Sequence, residues 1–265
     1  MVKLSPGALA SYGEKATAGA LNRYFAARPL YVLKDVSLRQ VVTADAKELN
    51  DGEWRYYTTA AFDFVVCNKD EDWSWEIVIE YDGLHHKEPL QTKKDALKNR
   101  LCIEAGLPIV RVGSDEILIR ENMTFLQYIL DLYFGEKEME RLKSQRKVAE
   151  DEDFFAGYGF PGTDTIEMRL IKRRGLVPAG LFDLEAVHGY RVLDQDMHTT
   201  RIEVLTGWRD PEIVLSIERS ATITAINPKG NVLGVHESHL TSELARFLCF
   251  EALERELDRI GWPTI

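Results

Sequence analysis

Two β-rich runs, AAFDFVVC (60–67) and WEIVIEYD (75–82), flank the polar turn NKDEDW, a spacing that predicts a hairpin. The hairpin commits this part of the chain to a sheet and carries acids where a sheet interior usually excludes them. Asp63 sits mid-strand between Phe62 and Phe64. Side chains alternate along a strand, so Glu80 and Asp82 share one face with Glu76 and Val78, and Trp75, Ile77, Ile79 and Tyr81 share the other. In the hairpin Asp63 lies opposite or diagonal to Glu80. An aspartate in such a run is costly unless it is paired or bound to a cation. Carboxylates converging at the open end of a sheet are suited to a hard cation, and Mg²⁺ takes one or two carboxylates while keeping several waters. His85 and His86 follow within a few residues. Taken singly, each of these residues fits an ordinary strand end, and DG is a frequent turn dipeptide. Their combination points to a metal site.

The surrounding elements read as an α/β arrangement. Residues 5–27 predict a helix capped by Ser5, with Pro6 in its first turn and Leu9, Ala16, Ala20 and Phe25 on one face. Residues 30–42 look extended with an interruption, and 45–58 read as irregular. A helix over 89–106 follows the hairpin, burying Leu97, Leu101 and Ile103 and stopped by Gly106. LPIVRV (107–112) reads as a buried strand, and NMTFLQYILDLYF opens another helix. The charged stretch 135–153 reads as a helix extension running into a linker. Beyond it, β-type stretches near 165–173, 201–206 and 212–226 precede an amphipathic helix over 241–260. That helix turns Leu244, Phe247, Leu248, Leu257 and Ile260 inward. The expected fold is a mixed sheet flanked by helices over 1–145, with a C-terminal α+β region over 154–265.

Composition bounds the function. The net charge of −10 argues against a protein held on nucleic acid by bulk charge, though not against an enzyme with local basic patches. The three cysteines form no CxxC pair, which predicts a reduced, cytoplasmic protein, and no apolar run reaches membrane-spanning length.

Five pieces in order resemble the PD-(D/E)xK nuclease superfamily, the restriction-endonuclease-like fold, and within it a branch related to very-short-patch repair endonucleases. The branch's E-x-D-G-x-x-H signature matches Glu80-Tyr81-Asp82-Gly83-Leu84-His85-His86, and its upstream D-F-V matches Asp63-Phe64-Val65. The R/K-D-x-x-K pattern matches Lys94 to Lys98, and the following strand matches Gly106 to Val112 with Arg111. Glu14 is the counterpart of a first-helix glutamate. The resemblance covers about residues 8–130. It departs where the superfamily name calls for a lysine two residues after the strand glutamate, since Asp82 stands there. Lys98 or His86 is then the candidate for the lysine's role.

The resemblance implies phosphodiester hydrolysis, most readily of DNA, in restriction, defence or repair. Asp63, Glu80 and Asp82 would hold Mg²⁺ or Mn²⁺, with Glu14 as an outer ligand. His86 or Lys98 would face the water or the scissile phosphate. The C-terminal region is expected to recognise a substrate, a protein partner or a signal, or to form an oligomer. The competing expectation is a non-catalytic nucleic-acid-binding or assembly module that keeps the fold.

Overall fold

The computed structural model describes residues 11–82, 89–117, 119–120 and 123–149. In the second half it describes 163, 166–167, 169–170, 172, 176–178, 188–194, 199–206, 212–221, 224–226 and 237–262. The chain divides into two compact units. One comprises residues 1–119, 124–138 and 224–234, the other 120–123, 139–223 and 235–265.

The first unit is a mixed α/β layer structure. Helix α1 (Tyr12–Phe25) begins at Ser11, whose hydroxyl accepts from the Glu14 amide at 3.1 Å, while Ser5 and Pro6, expected at the helix start, lie outside the described residues. Strand β1 (Leu30–Ser37) runs into a single-turn helix α2 (Leu38–Val41). Residues 45–58, expected to be irregular, hold most of helix α3 (Asp51–Thr59). Its start is a reciprocal capping box between Asn50 and Glu53, and the side chains on its polar face hide the helical period.

Strands β2 (Ala61–Asn68) and β3 (Ser74–Tyr81) form the expected antiparallel hairpin. Helix α4 (Pro89–Glu104) crosses over to β4 (Ile109–Val112), which pairs parallel to β3, as a parallel pair requires. Gly106, at φ 72°, ends α4, and the Leu107 amide closes back onto the Cys102 carbonyl at 2.9 Å. Leu97 and Leu101 are buried as expected, but Ile103 is exposed and Cys102 takes the inward position. A short helix α5 (Ser114–Ile117), a ribbon of β5 (Ile119–Arg120) and β6 (Met123–Thr124), and the long helix α6 (Phe125–Ser144) follow.

The second unit holds β7 (Val177–Pro178), β8 (His188–Asp194), β9 (Thr199–Thr206) and β10 (Glu212–Ser220) in the sheet order β10-β9-β8-β7. The C-terminal helix Glu237–Arg259 packs on β9 and β10. Leu244, Phe247 and Leu257 are buried on it, whereas Leu248 is half-buried and Ile260 is exposed. Phe250 and Leu253 complete the buried stripe. The described residues between 163 and 172 are helical, not β.

The main sheet has the order β1-β2-β3-β4-β11, where β11 (Thr224–Ile226) pairs antiparallel to β4. A strand read from sequence as part of the C-terminal region thus completes the first sheet. One core under this sheet gathers Tyr57 from α3, Val65 and Val78 from the hairpin, Leu97, Leu101 and Cys102 from α4, and Ile109 from β4. Among the described residues no helix is long and apolar enough to cross a membrane.

Candidate functional site

The hairpin ladder runs from Asn68–Ser74 to Phe64–Ile79 with one register shift between Val66 and Cys67, and then its bonding changes character. The Asp63 amide donates to Glu80 Oε1 at 3.2 Å, and the Tyr81 amide donates to Asp63 Oδ2 at 2.8 Å. Each carboxylate accepts from the opposing strand in place of a backbone carbonyl. The two acids therefore mark the point where β2 and β3 part, and they stand on adjacent strands as the sequence predicts.

Neither acid sits comfortably as an anion. Burial pushes the Asp63 carboxyl above its ordinary range, only partly offset by the Tyr81 amide and Lys98, and the nearby charges of Glu14 and Asp35 push the same way. Burial likewise pushes Glu80 up against the opposing pull of Lys98, and the Asp63 charge adds to the rise. Glu80 is only 4% exposed.

The crossover helix brings the cations. Lys98 Nζ donates to Glu80 Oε2 at 2.6 Å and to the Ala61 carbonyl at 2.8 Å, with both side chains buried. It also lies 5.4 Å from the centre of the Phe62 ring. Lys98 is thus on the strand glutamate although it is 18 residues away in sequence. Arg111, the one charge in the otherwise apolar LPIVRV strand, is paired in register with Glu80. Its Nη1 lies 3.1 Å from Asp82, 3.2 Å from Asp95 and 3.9 Å from Glu80, and Asn99 Oδ1 accepts from its Nε and Nη2. Asp82 is therefore drawn towards Arg111.

Glu14 lies on α1 with Lys34 at 3.4 Å, and Lys34 also reaches Asp35 at 3.6 Å. His85 and His86 lie outside the described residues. The structure thus brings Asp63, Glu80 and Lys98 into direct contact, gathers Asp82 through Arg111, and sets Glu14 within electrostatic reach of Asp63.

Three participants have no role in the sequence analysis, although Arg111 stands in its strand motif. Arg111 and Asn99 form the polar floor beside Glu80, and the lone arginine in an apolar strand was the available signal. Asp35 adopts φ 55° within β1, where Lys34 pairs with Phe64 and Val36 with Phe62, so Asp35 stands level with Asp63. Its trace in sequence was only the interruption expected in 30–42.

Four carboxylates, Asp63, Glu80, Asp82 and Asp95, face two cations, Lys98 and Arg111. Among the described residues no three His, Cys, Asp or Glu side chains converge closely enough to hold a metal ion between them. The donor set is two carboxylate groups with residual negative charge and no thiolate, which suits a hard divalent cation that completes its shell with water.

No curated protein and no solved structure matches the chain. Residues 8–124, somewhat under half of the chain, match the family model described as "Protein of unknown function (DUF2726)", a span that contains every site residue named above.

Proposed function

We propose that the first unit is a divalent-metal-dependent nuclease hydrolysing phosphodiester bonds in DNA, a member of the restriction-endonuclease-like superfamily that acts in the reduced cytoplasm. The observation that carries this reading is the Asp63–Glu80 pair: two carboxylates at a parting of strands, both disfavoured as anions by burial, with the Lys98 ammonium on one of them. All three cysteines are free and buried, in keeping with a reducing compartment.

Asp63 and Glu80 would hold Mg²⁺ or Mn²⁺, with Asp82 and Glu14 shaping the field around them. When bound, the cation neutralises the scissile phosphate and lowers the pKa of a bound water. The rest belongs to the chain. Glu80 and the Ala61 carbonyl hold Lys98 in place, and two of its three ammonium N–H bonds are spent on them. The third is left to orient the attacking water or a phosphate oxygen, the role the superfamily gives to the lysine absent at position 82. Arg111 holds the backbone end of β3 through Asp82 and keeps excess negative charge from accumulating beside Glu80.

One observation favours a second reading. Glu80 already carries Lys98 at 2.6 Å, so the site is partly compensated without a metal, as a binding module of the same fold would need. Calorimetry with Mn²⁺ and incubation with DNA in Mg²⁺ separate the two. The nuclease takes up Mn²⁺ in a manner abolished by Asp63→Asn and degrades or nicks DNA until EDTA is added. A module that binds no Mn²⁺ and leaves single-stranded, double-stranded and mismatched DNA intact overturns the nuclease reading.

A further inference from the structure

A groove of about 590 Å³ runs between α3 and α4 of the first unit. Asn50, Glu53 and Tyr56 line one side, and Lys93, Lys94 and Arg100 line the other. Three cations thus face one carboxylate, in a chain whose net charge is −10. Arg100 and Glu53 meet across the groove at 3.0 Å, and Lys94 Nζ lies 5.9 Å from the centre of the Tyr56 ring. Lys93 is exposed, and Lys94 and Arg100 are half-buried, so their head groups are within reach of a ligand.

The groove adjoins the candidate site through two elements. On α4, Lys93, Leu97 and Arg100 follow the i, i+4, i+7 spacing of one helix face, and Lys94 and Lys98 form the neighbouring row. Lys94 stands one turn from Lys98, about 6 Å along the helix axis. On α3, Tyr56 lines the groove and also feels the site. Burial pushes its phenol up, and the charges of Glu80, Asp95 and Asp63 push further. A polyanion laid along the groove is therefore delivered, within one helical turn, to Lys98 and the paired carboxylates.

We propose that the α3–α4 groove seats the phosphodiester backbone of a DNA strand, with Lys93, Lys94 and Arg100 facing phosphates and Tyr56 offering a ring to stack on. The inference rests on the nuclease reading for the strand's being substrate. The binding surface itself stands on the charge and shape of the groove. Phosphate contacts by lysine and arginine release counterions, so the groove carries a salt signature. A ring beside the cations adds sequence-tolerant affinity for unpaired bases.

The test is fluorescence anisotropy of a labelled single-stranded DNA oligonucleotide with full-length Asp63→Asn protein in Ca²⁺, titrated at several salt concentrations. Replacing Lys93 and Lys94 together by alanine removes two phosphate contacts, lowering the salt slope by about 1.4 and the affinity on the order of 20-fold at about 0.1 M salt. Lys93→Glu, at an exposed position that does not challenge folding, weakens binding in the same direction. Replacing Arg141 and Lys143 of α6, an equal loss of charge elsewhere, leaves the affinity within about twofold and the slope unchanged. Unchanged affinity and slope in both groove variants overturn the proposal, as does an equal loss in the α6 control or a parent protein that binds no DNA. Parallel cleavage assays separate the two ideas. Groove-dependent binding with no cleavage by the parent supports the groove and removes the nuclease. Cleavage unaffected by the groove variants keeps the nuclease and removes the groove.

Discussion

Lys98 and Glu80 meet at 2.6 Å with both side chains buried, joining the middle of the crossover helix to the end of the strand that precedes it. The contact follows from topology. Strands β3 and β4 are parallel, so the chain must cross the sheet between them, and the crossing helix is carried over the strand end where Glu80 stands. The helix that makes the crossing thus lays an ammonium on the strand glutamate.

Charge removal at Asp63 should stabilise the metal-free protein. Its folded-state pKa is raised, so its contribution is full below the ordinary carboxylate range and is lost as pH rises through the folded value. At neutral pH, Asp63→Asn keeps an acceptor for the Tyr81 amide and removes the repulsion with Glu80. Differential scanning calorimetry in EDTA should show a Tm higher by about 2–4 °C, equivalent to roughly 1 kcal/mol at this size. Adding Mn²⁺ should raise the parent's Tm and leave the variant's unchanged. A variant that melts below the parent in EDTA contradicts the assigned strain.

Arg111 should be the most damaging single loss in the first unit. It is 5% exposed and faces Glu80, Asp82 and Asp95 at once. Arg111→Met leaves these carboxylates without their shared cation and should cost about 3–5 kcal/mol in urea unfolding. Arg111→Lys should recover only part of this, since an ammonium cannot also hold the two guanidinium bonds to Asn99. A loss below about 1 kcal/mol for Arg111→Met would falsify this role.

Gly13 and Tyr81 should behave as a coupled pair. A β-carbon at Gly13 falls inside the Tyr81 ring, so α1 approaches β3 only because position 13 lacks a side chain. Gly13→Ala should therefore cost about 1–3 kcal/mol. In a Tyr81→Ala background the same change should become stabilising by about 0.5–1 kcal/mol, the helix-propensity gain alone. A double-mutant cycle reads this sign reversal, and additive effects would contradict the contact.

The thiols should be silent in the native protein. Burial pushes Cys102 up to about 12 and Cys249 up to about 11, and Cys67 is raised by the same cause. At mildly alkaline pH all three are protonated and covered, so iodoacetamide should label none until urea is added. Prompt labelling of the folded chain would contradict this packing.

The part of the site that local pattern encodes was legible in the sequence. Alternation in the hairpin placed Asp63 beside Glu80, and Gly106 marked the end of α4. What pattern could not supply were relations made by the crossover and by packing. The sequence offered Lys98 and His86 as equal candidates, and only the path of α4 sets Lys98 on Glu80. Asp82 reads as a metal ligand because it shares a strand face with Glu80, and what the pattern could not show is the buried Arg111 on β4, 3.1 Å from it. Helix α3 escaped notice because its sequence is polar and its N-terminal signal is two residues three apart, Asn50 and Glu53. Strand β11 was assigned to the wrong region because three apolar-flanked residues carry no information about which sheet edge they complete.

The cleavage rate of Asp63→Asn against the parent reads out whether Asp63 and Glu80 form the proposed metal-dependent hydrolytic pair. Both proteins are incubated with the same DNA in matched Mg²⁺ or Mn²⁺. The pairing predicts metal-dependent cleavage by the parent, abolished by EDTA, and no detectable cleavage by Asp63→Asn, because a neutral amide cannot replace the ligand's charge. Cleavage by the variant at the parent's rate would contradict it.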